Sequence, residues 1–330
     1  MKKEARYYRK TGNNTVQCQL CPHNCRIGEG NHGICGVREN EGGTLYSTIY
    51  GEVTAVAMDP IEKKPLYHFH PGSGILSIGT KGCNFKCPYC QNWNISQDLR
   101  AHTSRYTPEQ IVNLAKDNGS DGIAYTYSEP MIWCEYVMDC AELARSRGLY
   151  NVMVTNGFVN MEPLDDLLTC IDAMNIDLKS FREDSYRREQ KGALSPVLKT
   201  IERAAGACHV ELTTLIVTGL NDTFEEMQDI IDWIAALDRG IPWHISRYYP
   251  GYKYDSPATD IDFMLEVYDR AVKKLDYVFC GNIAGSYGRS DTLCPVCRSV
   301  VISRTGYRVR TGTLKEGACA ECGTALKIVQ

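Results

Sequence analysis

The chain has 330 residues and a net charge of −4, with 43% hydrophobic and 23% charged residues. That suits one large domain with appendages, or two domains, and gives an ordinary apolar share for a packed core. The slight acidity excludes a global positive field for nucleic acid or anionic lipid. The opening MKKEARYYRKTGNNT has no apolar h-region and no stretch approaches the roughly 20 apolar residues of a membrane span, so a soluble cytoplasmic protein is expected.

Sixteen cysteines depart from this ordinary composition. In a long chain with no export signal they do not read as a disulfide framework. The first group, CQLCPHNCRIGEGNHGIC, sets Cys18, Cys21, Cys25 and Cys35 in a glycine-rich, loop-like stretch. Four soft ligands there would fix either a zinc ion or an iron–sulfur cluster, with His23 and His32 near enough to substitute. Residues 1–73 are therefore expected to form a Cys-rich metal-binding segment. It ends in PIEKKPLYHFHPGS (60–73), whose His68 and His70 are candidates for lining a substrate entrance.

From residue 74 the chain alternates. Strand-length apolar runs are GILSIGT (74–80), GIAYTYS (122–128), NVMVTNG (151–157), AMNIDLK (173–179), VELTTLIV (210–217), PWHISRYY (242–249) and YVFCGNI (277–283). Between them lie helical periodicities with start signals: Thr107-Pro108-Glu109-Gln110 offers a capping box with proline at the first helical position, and Thr223 with Glu226 repeats the box. Strand and helix in such alternation predict an α/β fold with a parallel sheet, a partial or nearly complete (β/α) barrel over residues 74–290. Chemistry in such barrels sits where strands run out into the following loops.

The first of these strands runs straight into KGCNFKCPYCQNW, which places Cys83, Cys87 and Cys90 at the barrel mouth. Three thiolates with no fourth ligand suit a four-iron, four-sulfur cube whose remaining iron stays open to the amino and carboxylate groups of a small molecule. Cys134, Cys140, Cys170, Cys208 and Cys280 lie singly in predicted elements and read as small buried apolar residues. After the last strand, CPVC and CAEC place Cys294, Cys297, Cys319 and Cys322 as two knuckles flanking a β-rich segment, so residues 291–330 look like a zinc ribbon. Its arginines read as a solvated face rather than a nucleic-acid surface.

CxxxCxxC on the loop after the first strand of a βα series resembles the radical S-adenosylmethionine enzymes. The resemblance implies that the cluster passes one electron to the sulfonium, the carbon–sulfur bond breaks, and a 5′-deoxyadenosyl radical takes hydrogen from a substrate. Tyr89 matches the aromatic residue before the third cysteine, near the adenine. Glu129 in TYSEP matches the acid of the turn that holds the methionine amino group, with Tyr127 and Ser128 where that turn commonly has glycines. VTNGF and NIDLKS look like segments of the glycyl-radical-enzyme activases, and by that likeness Asn156, Asp177 and Lys179 face S-adenosylmethionine. His244, Arg247 and Tyr249 near the sixth strand end are further candidates. From CQLCPHNC through the ribbon, the whole chain is similar to the radical enzymes of the AmmeMemoRadiSam system, which are related to pyruvate formate-lyase activating enzymes.

The expected function is thus reductive cleavage of S-adenosylmethionine at a [4Fe–4S] cluster and hydrogen abstraction from a small-molecule or protein substrate. Electrons would come from a low-potential donor of flavodoxin or ferredoxin type. One alternative is a glycyl-radical-enzyme activase acting on a partner protein; another is a non-enzymatic iron–sulfur and zinc protein.

Overall fold

The computed structural model describes residues 2–283 and 289–330. Its centre is a single sheet of β1 (Ala55–Pro60), β2 (Gly74–Gly79), β3 (Gly122–Tyr125), β4 (Tyr150–Thr155), β5 (Ala173–Asp177), β6 (His209–Ile216), β7 (Trp243–Arg247) and β8 (Val278–Gly281). Spatial order follows chain order from β1 to β8. The seven strands expected from the sequence all form, and they run parallel. β1 is an addition: it lies antiparallel on β2, from Ala55 opposite Gly79 to Pro60 opposite Gly74. Proline closes this strand at the sheet edge, where a missing amide hydrogen costs least.

The sheet is buried on both faces, which is why its strands are apolar runs rather than alternating ones. Helices α1 (Pro108–Asp117), α2 (Cys134–Ser146), α3 (Met161–Leu168), α4 (Leu194–Ala205), α5 (Phe224–Asp238) and α6 (Ile261–Ala271) connect the strands. The Thr107 hydroxyl accepts from the Gln110 amide and the Gln110 side chain accepts from the Thr107 amide, so the capping box starts α1 as expected. α5 buries Met227, Ile230, Ile231 and Ile234. β1 and β8 are the two sheet edges, yet the Tyr67 ring beyond β1 stands 4.7 Å from that of Phe279 in β8. The sheet therefore curls into a partial barrel, and the segment after β1 bridges its gap.

Residues before β1 build two small antiparallel sheets around the first cysteines. One joins Lys3–Glu4, Thr44–Ser47 and Arg38–Glu41; the other joins Tyr8–Gly12, Thr15–Cys18 and Arg26–Ile27. After β8, strands Thr292–Leu293, Val300–Thr305 and Arg308–Thr311 form a third antiparallel sheet. This ribbon seats on the segment after β1. Val329 exchanges backbone hydrogen bonds of 2.8 Å with His68 and His70, and buried Arg304 donates to the Tyr67 carbonyl at 2.6 Å with its guanidinium over the Tyr67 ring.

That docking corrects the expectation for two histidines. His68 does not line an entrance: it is buried, with Nε2 3.1 Å from Thr292 Oγ1 and Nδ1 3.2 Å from the Lys327 carbonyl. His70 stacks on Tyr150 at 4.6 Å. Aromatic rings and the ribbon cover both. No helix among the described residues is long and apolar enough to cross a membrane.

Candidate active site

The cluster loop leaves β2 through Gly82, whose φ of +94° falls in the left-handed region that glycine favours. A side chain there would also press on Val37 at 2.8 Å and on the Cys35 carbonyl at 3.0 Å, so the loop lies tight against the N-terminal segment. Farther along, Phe85 packs so closely on Gly192 that a Cβ would come within 2.4 Å of its ring. The Lys86 amide donates to the Gln190 carbonyl and Gln97 Nε2 donates to the Phe85 carbonyl at 3.1 Å, which pins the loop from two sides.

Cys83, Cys87 and Cys90 line one cavity of about 620 Å³ at the C-terminal ends of the strands, together with Tyr89, Glu129, Asn156, Asp177 and Lys179. Five strand-end or loop residues singled out from the sequence thus meet three cysteines in one place. The Phe85 amide donates to Cys83 Sγ at 3.3 Å, and Cys90 Sγ lies 3.2 Å from Ser96 Oγ. Burial pushes the Cys83 thiol well up, with the Glu129 and Cys87 charges adding to it, and pushes Cys87 up to about 11.

The polar groups around them are held firmly. Glu129 accepts from the Met131 and Asn156 amides at 2.9 and 2.8 Å and from Thr155 Oγ1 at 2.7 Å; burial nevertheless raises it to about 7. Asn156 Nδ2 donates to Asn84 Oδ1 at 2.8 Å and stands 3.7 Å from Cys83 Sγ, so the asparagine and the cluster loop are directly joined. Lys179 Nζ meets Asp177 Oδ2 at 2.8 Å. Burial alone would lower the Lys179 ammonium, but the charges of Asp177, Cys87 and Tyr89 hold it well above its usual value. The Tyr89 hydroxyl accepts from Gln190 Nε2 at 2.5 Å and is buried. His244 reaches the cavity, with Nε2 2.6 Å from Glu211 Oε2. Arg247 instead donates to the Thr259 carbonyl at 2.8 Å, and Tyr249 is exposed, its hydroxyl on the Asn282 carbonyl.

Three cavity groups were missed. Tyr127 donates to Asp59 Oδ2 at 2.6 Å, Lys64 Nζ holds the same oxygen at 2.6 Å, and Lys63 holds Oδ1 at 2.8 Å. Burial lowers Lys64 to about 8, and its ammonium lies 4.4 Å from the Tyr127 ring centroid. Tyr127 has φ of +70°, a left-handed conformation that ordinarily selects glycine and is strained for tyrosine. The sequence traces were the lysine pair in IEKKP and Tyr127 at a turn position where glycine is common; the meeting of β1 with the loop after β3 is not visible in either segment alone.

At the far end of the chain the four knuckle sulfurs all lie within 4.8 Å of one another. Cys294 Sγ is 3.5 Å from Cys322 Sγ, and Cys297 Sγ is 3.6 Å from Cys319 Sγ. The Ser299 hydroxyl beside Cys319 lowers that thiol to about 6. Among the described residues this is the one group of three or more metal-type ligand atoms so closely gathered.

A model of the radical SAM superfamily matches residues 77–234. The uncharacterized protein MJ0808 of Methanocaldococcus jannaschii is 41% identical over 335 residues, covering 99% of both chains. Two further proteins of that organism, MJ1632 and MJ1227, whose names describe glycyl-radical enzyme activating enzymes, are 25% and 27% identical over 62% and 66% of this chain and 80% and 93% of their own. Among solved structures, Streptococcus suis SuiB bound to the precursor peptide SuiA superposes with a TM-score of 0.50 at 13% identity, over 69% of this chain and 52% of that one, a likeness of fold.

Proposed function

Because the chain belongs to the radical SAM superfamily of enzymes, whose members use a [4Fe–4S] cluster and S-adenosylmethionine, we propose that Cys83, Cys87 and Cys90 hold that cluster and that the cavity beside them takes S-adenosylmethionine and a small-molecule substrate. The single observation that carries this reading is the meeting of the three cysteines with Tyr89, Glu129, Asn156, Asp177 and Lys179 around one cavity. The fit rests on the donor set: three cysteines of one loop line the cavity, and among the described residues no fourth cysteine lines it with them. Held by Cys83, Cys87 and Cys90, a reduced cluster would supply the electron for cleaving the sulfonium carbon–sulfur bond and so the radical chemistry by which hydrogen is taken from a substrate.

The chain's own residues bind, orient and enclose. Asn156 braces the cluster loop through Asn84. The Lys179–Asp177 pair presents a fixed positive and a fixed negative group to a zwitterionic ligand. Glu129, raised to about 7 and already taking three hydrogen bonds, keeps lone-pair capacity for an ammonium group at the cavity wall. Lys64, Tyr67 and the ribbon's Tyr307 wall the cavity from the side of the barrel gap, and this shields a radical from water. That walling favours a small molecule over a protein loop. The names of MJ1632 and MJ1227 favour the second reading, an activase acting on a partner protein. A low-potential donor of flavodoxin or ferredoxin type supplies the electron in either case, and a zinc ion fills the C-terminal quartet.

The test is anaerobic. Reconstituted, reduced protein given S-adenosylmethionine is expected to release 5′-deoxyadenosine and methionine, and Cys87→Ala is expected to lower the yield by on the order of 10³-fold or more. Iron-loaded protein that releases neither, with or without cell-extract metabolites, would overturn the proposal. Product formed only on addition of a partner protein would favour the activase reading.

A further inference from the structure

The N-terminal cysteines have no part in that cavity. Three of them, Cys18, Cys21 and Cys35, are buried, and Cys25 is half-buried. The strand Thr15–Cys18 and a turn bring the first three together: the Cys18 amide donates to the Cys25 carbonyl at 2.9 Å, and the Asn24 amide to the Cys21 carbonyl at 3.0 Å. The Gly33–Cys35 turn lies against them, since a Cβ on Gly33 would stand 3.6 Å from Cys25 Sγ.

A second observation points at a ligand. Arg38 is wholly buried and its Nη2 is fully engaged, donating to both Glu135 oxygens at 2.7 and 2.8 Å and to Cys134 Sγ at 3.2 Å. Its Nε and Nη1 have no hydrogen-bond partner. A guanidinium carries five N–H donors, and buried ones are rarely left unmet. After Glu135 and Cys134, the charges that act on this guanidinium are those of Cys18 and Cys35. The Arg38 carbonyl accepts from the Gly33 amide at 2.9 Å, so the residue with these unmet donors sits beside the turn that carries Cys35.

We propose that Cys18, Cys21, Cys25 and Cys35 hold an iron–sulfur cluster whose sulfurs accept from the Nε–H and Nη1–H of Arg38. Geometry separates iron–sulfur from zinc. Zinc–sulfur bonds of about 2.3 Å in a tetrahedron put the four sulfurs roughly 3.8 Å apart, the arrangement of the C-terminal quartet. Among the described residues the N-terminal quartet is not so gathered. A cube of iron and sulfide spreads its cysteines wider and adds sulfides that accept hydrogen bonds, which tune its potential. The site adjoins the barrel: His23, between Cys21 and Cys25, has Nε2 2.8 Å from the carbonyl of Asn84, the neighbour of Cys83.

The proposal concerns other ligands than the radical reading, so each can fail alone. The full chain carrying Cys83→Ala, Cys87→Ala and Cys90→Ala is reconstituted with iron and sulfide, and its iron, acid-labile sulfide and zinc are measured. About four irons and four sulfides per chain are expected to remain, and adding Cys18→Ser and Cys21→Ser is expected to remove them. Where that variant does not fold, Cys25→Ser at the half-buried corner is the substitute, with retained C-terminal zinc as the control for folding. Arg38→Lys is expected to keep the iron and shift the cluster's midpoint potential downward. Iron-free triple variant holding a second zinc, or iron that survives loss of the N-terminal ligands, overturns the site; an unchanged potential in Arg38→Lys overturns the role of the arginine.

Discussion

The barrel mouth and the C-terminal ribbon use the same ligand to opposite ends. At the mouth, three thiols share a large cavity with charged and polar side chains, and burial pushes Cys83 and Cys87 up. In the ribbon, four sulfurs close on one another beside hydroxyls, and Cys319 is lowered to about 6 by the Ser299 hydroxyl. Four gathered sulfurs make a complete ligand set of structural type, whereas three, holding the proposed cluster, would leave one coordination position to a small molecule. What cysteine does is therefore set by how many come together and by what else shares the space.

The contrast predicts that the two sites fail separately. Removing the zinc proposed for the ribbon quartet with a chelator, or by Cys294→Ser, is expected to raise amide hydrogen exchange across residues 292–330 by roughly 10³-fold or more, since modules of that type owe their fold to the metal. Exchange in β2 to β6 and the iron content are expected to stay as they were. Mass-spectrometric exchange reads both, and loss of iron together with zinc would break the separation.

A smaller effect sharpens the mouth. Gly192→Ala places a methyl group 2.4 Å from the Phe85 ring. Overpacking of that kind costs about 1–3 kcal/mol, and it falls on the cluster loop, so iron occupancy is expected to drop along with Tm. Gly251→Ala meets nothing within 4 Å and sets the baseline. Equal behaviour of the two variants in calorimetry and iron assay would mean that the loop is not braced by this contact.

The smallest effect concerns the ribbon's seat. Burial lowers His68 to about 3 from its ordinary 6.5. The unfolded chain then binds more protons than the folded one between those values, so stability present above pH 6.5 is lost as pH falls from 6.5 towards 3. His68→Gln is expected to flatten that slope in urea titrations across this range. A slope unchanged by the substitution would assign the acid sensitivity to other groups.

Much of this was legible beforehand because it is written locally. Seven strands, the capping box at Thr107, the N-cap at Thr223 and all three cysteine groups are each set by residues within a few positions of one another; the reciprocal half of the box expected at Thr223 does not form, because the Glu226 side chain accepts from Ser180 and the Phe181 amide instead. β1 escaped notice because AVAMDP ends in aspartate and proline and its pairing with β2 is not encoded in its own pattern. The Asp59–Lys64–Tyr127 contact and the Arg38–Glu135 pair join residues 68 and 97 positions apart, where no spacing rule reaches. Cys134 reads as a plain buried residue in its helix, and its Arg38 contact appears only once the N-terminal segment is folded onto α2. The surroundings of the two histidines of LYHFH are likewise distant in the chain: Tyr150 stacks on His70, and Tyr277, Thr292 and Lys327 enclose His68.

The open position at the barrel mouth is tested most directly by the electron paramagnetic resonance spectrum of the reduced wild-type cluster, recorded with and without S-adenosylmethionine in protein whose Cys18, Cys21 and Cys25 are replaced by serine. Three-cysteine ligation predicts that the nucleotide shifts the g-values of the remaining cluster, because it binds the iron that no cysteine holds. A spectrum from a fully loaded cluster that does not change on saturation with S-adenosylmethionine would contradict it.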